Sequence, residues 1–279
     1  MATPVYPIYP SDLTDAEWSI FSPLLPAAKP GGRPRSVNLR RVVNGLFYLV
    51  RAGCAWASWR YLPRDYGPWS MVYHYFRCWR NDGRWEQIHR HLREVVRERA
   101  GRDPTTSAAI IDSQSVKTHQ GGPRGFDGGK KVSGRKRHVL VDTLGLLLKV
   151  VVHSANLHDR LGAKLVLDAL GSNLPRLQHI WADQGYAGAL RQWTREHVSM
   201  ELEVVYPWWR NLKRYFPDLL DETGFQPGFH VLPRRWVVER TFAWLGRSRR
   251  LSRDYERLPT SSEALIYLTS VRLLLHRLA

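Results

Sequence analysis

Acidic residues are scarce in this 279-residue chain: 25 Asp and Glu stand against 42 Lys and Arg, a formal net charge of +17. So basic a folded chain points to a polyanionic partner, with nucleic acid first. Cysteine is scarcer still. Cys54 and Cys78 lack CxxC pairing, which excludes a disulfide framework and a zinc knuckle and leaves free thiols in a reducing cytoplasm as the expectation. Long apolar runs are missing too. The most hydrophobic stretch, Leu144 to Val152, is interrupted by Lys149 and falls short of the roughly 20 residues of a membrane helix. The opening MATPVYPIYP has neither a basic start nor an apolar core, so no signal peptide is expected. Neither GxxxxGK[ST] nor HExxH occurs, and His153 and His158 have no matching third ligand; a P-loop and a zinc site are excluded.

What is present is unevenly placed. Residues 1–100 carry a net +7, residues 117–138 a net +6 and residues 231–257 a net +5, so the remainder is close to neutral. A hydrophobic content of 43% with 12 Trp and 12 Tyr is enough for a sizeable core.

Residues 1–35 read as an extended arm over residues 1–10, a short helix capped by Thr14 or Asp15, and a Pro/Gly-rich linker over Pro26 to Arg35. Residues 36–106 read as helical. Leu39, Val42, Val43, Leu46, Phe47 and Val50 follow helical spacing up to Gly53, and a short helix over Trp56 to Leu62 leads through Gly67-Pro68 into Trp69 to Trp79. That last helix leaves His74, Arg77 and Arg80 more exposed, the rhythm of a helix-turn-helix; plain bundle packing has the same rhythm. A further helix is expected over Trp85 to Arg99.

Residues 107–279 change pattern. Ala108 to Thr118 is an apolar strand that delivers one carboxylate, Asp112. His119 to His138 is rich in glycine and charge and reads as a mobile basic loop. His138 to Val141 and Leu146 to His153 read as a hairpin turning at Gly145. A helix follows, capped within Asn156 to Asp159 and carrying Leu161, Leu165, Val166 and Leu170. Leu177 to Ala182 is a fourth strand ending at Asp183, with Gly185 allowing a sharp turn into a helix over Ala187 to His197. Leu202 to Tyr206 is a fifth. Pro207 to Leu232 is irregular, a helix runs from Pro233 to Arg250, and the last helix spans Glu263 to Leu278. This order predicts an α/β RNase H-like domain with a mixed five-stranded sheet flanked by helices, preceded by an all-helical DNA-binding region.

In such a sheet the first and fourth strands are neighbours, which places Asp112 beside Asp183. A third acid is then expected from a late helix laid across the strand ends, and Glu239 lies there, opposite the apolar face of Val237, Val238, Trp244 and Leu245 and beside Arg235, Gly246 and Arg250. Three carboxylates are what a two-metal phosphodiester site requires. A plain Arg235–Glu239 ion pair is the structural alternative.

IIDSQSVKT, GGKKVSGRKRHVLVDTLGLLL, WADQGYAG and RRWVVERTFAWLGRSRRLSRDYE, in this order over Ser107 to Arg257, resemble the transposases of the IS5 family of bacterial insertion sequences, in the DDE superfamily. The resemblance implies that Asp112, Asp183 and Glu239 are catalytic and hold two Mg²⁺ ions, with Mn²⁺ able to substitute. It implies hydrolytic cleavage at insertion-sequence ends followed by transesterification of the freed 3′-hydroxyl into target DNA, by a nucleoid-associated cytoplasmic protein. Its partners would be terminal inverted repeats, target DNA and at least one further copy of the chain. Lys117, Lys130, Lys131, Arg135, Lys136 and Arg137 would hold phosphates, with Arg235, Arg247, Arg249 and Arg250 beside the site and Arg77 and Arg80 on the helix-turn-helix. The related IS4-type signature of Tyr, Arg, Glu and Lys meets Leu232, Arg235, Glu239 and Gly246 here, so only its Arg and Glu are kept. A non-cutting DNA-binding descendant and a nuclease without strand transfer are the alternatives.

Overall fold

The computed structural model describes residues 9–28, 31, 35–54, 58–119, 121–171, 173–206 and 234–279. Most of the expected arm, much of the linker, the start of the helix expected at Trp56, and Pro207 through Pro233 lie outside the described residues, Leu232 among them.

Helix α1 (Asp15–Phe21) starts at a capping box in which Thr14 and Glu17 satisfy each other's backbone N–H groups. Helix α2 (Leu39–Ala52) is capped by Asn38 and stops at Gly53, whose φ of +69° suits glycine. Helices α3 (Trp69–Asn81) and α4 (Arg84–Arg99) follow, joined across Asp82-Gly83. The short helical piece expected over Trp56 to Leu62 is, in its described part, one 3₁₀ turn, Trp59–Tyr61, followed by a second at Arg64–Tyr66. Pro63 lacks the N–H that would continue a helix, and Gly67-Pro68 stops the second turn.

The sheet contains the five expected strands and one more. They are β1 (Ala108–Lys117), β3 (Val132–Asp142), β4 (Leu147–Ser154), β5 (His179–Ala182) and β6 (Glu201–Val204), with the added short β2 (Gly125–Asp127). The order across the sheet is β4-β3-β1-β5-β6, with β2 pairing to the first residues of β3 beside β4. β1 is antiparallel to β3 and parallel to β5, and β5 is parallel to β6. This is the mixed sheet, preceded by helices, that the order of elements predicts. Gly145 turns β3 into β4 with φ +77°, as expected.

Helices α5 (Asp159–Asp168) and α6 (Leu190–Val198) cover one face, burying Ala109, Ile111 and Leu140 with Val166, Leu167 and Leu190. Helices α7 (Trp236–Gly246) and α8 (Pro259–Leu278) cover the other, where Ile110, Val139 and Val141 share a core with Val238, Leu268 and the apolar faces of α2, α3 and α4. The α5 cap is His158, whose Nδ1 accepts the Arg160 N–H. That helix is also rotated from expectation: Leu161 and Leu165 are exposed, while Gly162, Ala163 and Val166 face the sheet.

The N-terminal helices pack on α8 through buried polar contacts as well as apolar ones. Arg272 of α8 pairs with the buried Glu17, and His89 bonds Ser270 at 2.9 Å. Arg97 of α4 pairs with Asp142 at the β3–β4 turn. A buried ion pair of this kind is costly to break by removing one partner, so it fixes relative position.

Candidate active site

Strand alternation decides which side chains meet. Ile110 of β1 faces the core shared with α7, so Asp112, two residues on, faces the same way. In the parallel register of β1 with β5, Ile110 lies opposite Trp181. Two further steps bring Asp112 level with Asp183, the first residue after β5. Helix α7 crosses this side, its Val237, Val238, Thr241 and Leu245 buried and Glu239 turned outward.

The three acids meet around one cation. A guanidinium nitrogen, Arg235 Nη2, lies 3.9 Å from Asp112 Oδ2, 3.8 Å from Asp183 Oδ2 and 3.9 Å from Glu239 Oε1. No two of those oxygens are therefore farther apart than about twice that distance, although their residues are up to 127 positions apart in sequence. Asp183 is oriented locally by the Gly185 N–H, 2.8 Å from its Oδ1. Gly185 serves by close approach and not by a positive φ: an added Cβ would stand 3.0 Å from that oxygen. The positive φ of this turn belongs to Gly188, at +101°.

Asp112 has an environment that disfavours its charge. Burial, aided by the neighbouring Asp183 carboxylate, pushes its pKa up to about 6, against the opposing Ser113 N–H at 2.7 Å and the charges of Arg235 and Lys130. Hard carboxylate oxygens gathered around a single positive charge match, in kind, the donor set of Mg²⁺ or Mn²⁺. Among the described residues no group of three His, Cys, Asp or Glu side chains is set to hold a metal ion as it stands. Arg235 lies between the acids, so the site fits a divalent ion by chemistry and requires the guanidinium to withdraw.

The basic residues divide into two sets. Lys117, Lys131, Arg247 and Arg249 are exposed, as is Arg77 on α3. Lys130 is exposed and its Nζ donates to the Ser113 carbonyl at 2.9 Å, which brings a positive charge beside Asp112. The others correct the sequence reading. The loop expected over His119 to His138 ends early, because β3 begins at Val132 and carries Arg135, Lys136 and Arg137 into the interior. Arg135 bonds Asp254 and the carbonyls of Pro123, Glu256 and Arg257. Arg137 donates to the carbonyls of Leu251 and Arg253, and burial lowers its pKa to about 10. Lys136 bonds Asp159 at 2.9 Å and the Leu157 carbonyl at 3.0 Å. Arg250 lies past the end of α7, which stops at Gly246, and is buried on Glu256 at 2.6 Å. Arg80 donates to Ser261 and Asn81. Internal carbonyls and carboxylates hold these cations, so buried Arg135, Lys136, Arg137 and Arg250 do not present charge to a phosphate.

Two polar chains behind the acids were not legible in advance. Ser113, next to Asp112, donates to Asp159 at 2.9 Å, and Asp159 is held in turn by Lys136. Below Asp183, the Tyr186 hydroxyl lies 2.7 Å from His138 Nε2, His138 Nδ1 lies 3.3 Å from His153 Nε2, and His153 Nδ1 lies 2.9 Å from the Ser154 carbonyl. A carbonyl only accepts, so His153 carries its proton on Nδ1, His138 donates from Nδ1, and Tyr186 donates to His138 Nε2. Both imidazoles are neutral in this chain, and burial lowers both pKa values accordingly. Gly162 of α5 makes room for the pair: a Cβ there would stand 2.4 Å from His138 Nδ1 and 2.6 Å from His153 Nε2. A glycine inside a predicted helix was the available signal.

Residues 103–274 match the family model described as "Transposase DDE domain", and residues 13–89 match one described as "Putative transposase of IS4/5 family". The chain is 30% identical over 155 residues to a protein of Burkholderia cepacia named "Putative transposase for insertion sequence element IS402", covering 53% of this chain and 65% of that protein, just under two thirds of its length. It is also 30% identical over 113 residues to "Insertion element IS402 uncharacterized 16.2 kDa protein" of Burkholderia cepacia, covering 38% of this chain and 72% of that protein.

Proposed function

Because the chain belongs to the family of transposases with a DDE domain, with an N-terminal region of the IS4/5 kind, we propose that it is an insertion-sequence transposase of the IS5 group in which Asp112, Asp183 and Glu239 form the catalytic centre. Its substrates are the ends of an insertion sequence, which it cleaves, and a target DNA, to which it joins the freed 3′-hydroxyl, with a homodimer or larger assembly bringing the ends together. The observation that carries this reading is the convergence of three acids from β1, the end of β5 and α7 on the single Arg235 nitrogen.

Asp112, Asp183 and Glu239 would hold two divalent ions, Mg²⁺ or in its place Mn²⁺. When bound, such ions polarise the phosphate and lower the pKa of the attacking hydroxyl or water. The chain's own residues do the rest. The Ser113 and Gly185 N–H groups aim the Asp112 and Asp183 carboxylates, and Lys130 supplies positive charge for a phosphate next to Asp112. Arg235, once drawn out of the acid cluster, is placed to bind a non-bridging phosphate oxygen. Lys117, Lys131, Arg247 and Arg249 offer exposed charge along the DNA path.

Single substitutions Asp112→Ala, Asp183→Ala and Glu239→Ala are each expected to reduce nicking of insertion-sequence ends in Mg²⁺ by at least a thousandfold. Binding of the same ends in Ca²⁺ should be retained. A variant that nicks at near-parent rate removes that residue from the centre.

A further inference from the structure

A cavity of about 340 Å³ opens between α3 and the segment that follows α7. This volume is at the lower end of the 300–1,000 Å³ typical of small-molecule sites. Four half-buried aromatic rings line it, Trp59, Trp69, Tyr73 and Tyr255. Four arginines line it with them: Arg60 and Arg257 are exposed, Arg80 uses three of its five N–H donors on Ser261 and Asn81, and Arg250 is buried. Arg60 lies over the Trp69 ring at 5.6 Å. The one lining carboxylate, Glu256, is tied to the buried Arg250, so its charge is already matched.

Aromatic rings interleaved with arginines accept a flat π-face and the phosphates on either side of it, with little regard to base identity. An ordinary apolar ligand would not need the arginines, and a bare phosphate would not need the rings. We propose that this cavity takes one unpaired nucleotide of a DNA strand, its base stacked among the rings and its phosphates on Arg60 and Arg257. The proposal rests on the DNA reading of the acid centre and adds a second, separate contact to it.

The cavity is joined to that centre through the backbone. Asp254, just before Tyr255, donates its N–H to the Lys117 carbonyl at 2.8 Å and accepts the His119 N–H at 2.9 Å. The cavity wall is thus bonded to the far end of the strand that carries Asp112. From Asp112 to Thr118, β1 and the residue after it advance about 20 Å at roughly 3.3 Å per residue.

The test uses the full chain without divalent metal and two duplexes of equal length, one fully paired and one carrying a single unpaired 2-aminopurine. The expected result is binding of both, at least tenfold tighter for the unpaired duplex, with 2-aminopurine fluorescence quenched on binding. Tyr255→Ala should abolish the preference and the quenching while leaving affinity for paired DNA unchanged. Tyr255→Phe, which keeps the ring, should retain both, and Arg257→Ala should reduce the preference. Equal affinity without quenching, or a preference that survives Tyr255→Ala, overturns the cavity assignment and leaves the DNA reading standing. Failure to bind either duplex overturns both.

Discussion

Asp112 is held in a protein environment that favours its neutral form, with a pKa near 6 caused first by burial. A carboxyl whose folded pKa exceeds its unfolded value, about 3.9, binds its proton more tightly in the folded state. Between those two values the folded chain holds more protons, so stability falls as pH rises, and the loss is complete above about pH 6. Asp112→Asn is therefore expected to raise the melting temperature at pH 7.5 in EDTA, by a stabilisation on the order of 2 kcal/mol. It should have little effect at pH 4, where the native carboxyl is protonated. Thermal unfolding at the two pH values checks this; a variant less stable than the parent at pH 7.5 would contradict it. The same residue then costs stability for the sake of a site, which is common where charge is gathered for chemistry.

The buried Tyr186–His138–His153 chain makes a second residue-scale prediction. Gly162→Ala would place a methyl group inside contact distance of both imidazoles, and overpacking of this kind typically costs about 1–3 kcal/mol. Tyr186→Phe removes the hydroxyl that His138 and Ser113 both meet and leaves His138 Nε2 buried and unsatisfied, at about 1–3 kcal/mol. Chemical denaturation of both variants measures these losses. If Tyr186→Phe proves neutral, the buried Tyr186–His138 hydrogen bond contributes nothing net to stability.

Elements differ in how far the sequence revealed them. Helix α2 was legible because its apolar spacing and terminal Gly53 agree, and the structure adds the Asn38 cap. The pairing of β1 with β5, and with it the nearness of Asp112 and Asp183, was expected once the order of elements was read as an RNase H-like sheet. Strand β3 was not legible over Val132 to Arg137, where SGRKR carries the composition of a solvated loop. Arg135 and Arg137 are buried because the chain around Asp254 and the carbonyls from Leu251 to Arg257 fold back to receive them, and such partners, more than a hundred residues away, leave no local pattern; Lys136 is held by Leu157 and Asp159 across the intervening hairpin. The face of α5 was misjudged for a related reason: Gly162 is small to fit two histidines, and the leucines beside it are left outside.

This division predicts different outcomes for neighbouring basic residues. Replacing Lys117, Lys130 and Lys131 together with Ala should weaken DNA binding and flatten its salt dependence, by roughly 0.9 in slope for each phosphate no longer neutralised. Arg135→Ala should leave the salt slope of the folded protein unchanged and cost about 3–5 kcal/mol of stability, because Asp254 loses a buried partner. Affinity measured at several salt concentrations separates the two. Equal slope changes from both sets would return Arg135 to the surface.

At the scale of the whole molecule, the helices before residue 107 and the last helix are one packing problem. α8 buries Leu265, Leu268, Val271 and Leu275 in the core it shares with α2 and α4, and Arg272 reaches Glu17 of α1. A fragment of residues 107–279 is therefore expected to expose that apolar face and to aggregate or lose cooperative unfolding, which gel filtration and calorimetry would show. A monomeric, cooperatively folded fragment would contradict it. No helix among the described residues is long and apolar enough to cross a membrane.

The central claim is that three acids from distant parts of the chain make one cation-binding centre from which Arg235 withdraws. The direct measurement is anomalous diffraction from a crystal of the full chain grown with Mn²⁺. The account predicts manganese peaks about 2.0–2.5 Å from carboxylate oxygens of Asp112, Asp183 and Glu239, with the Arg235 guanidinium moved out from among them. Saturating Mn²⁺ with no peak at these carboxylates, and Arg235 still seated between them, would contradict it.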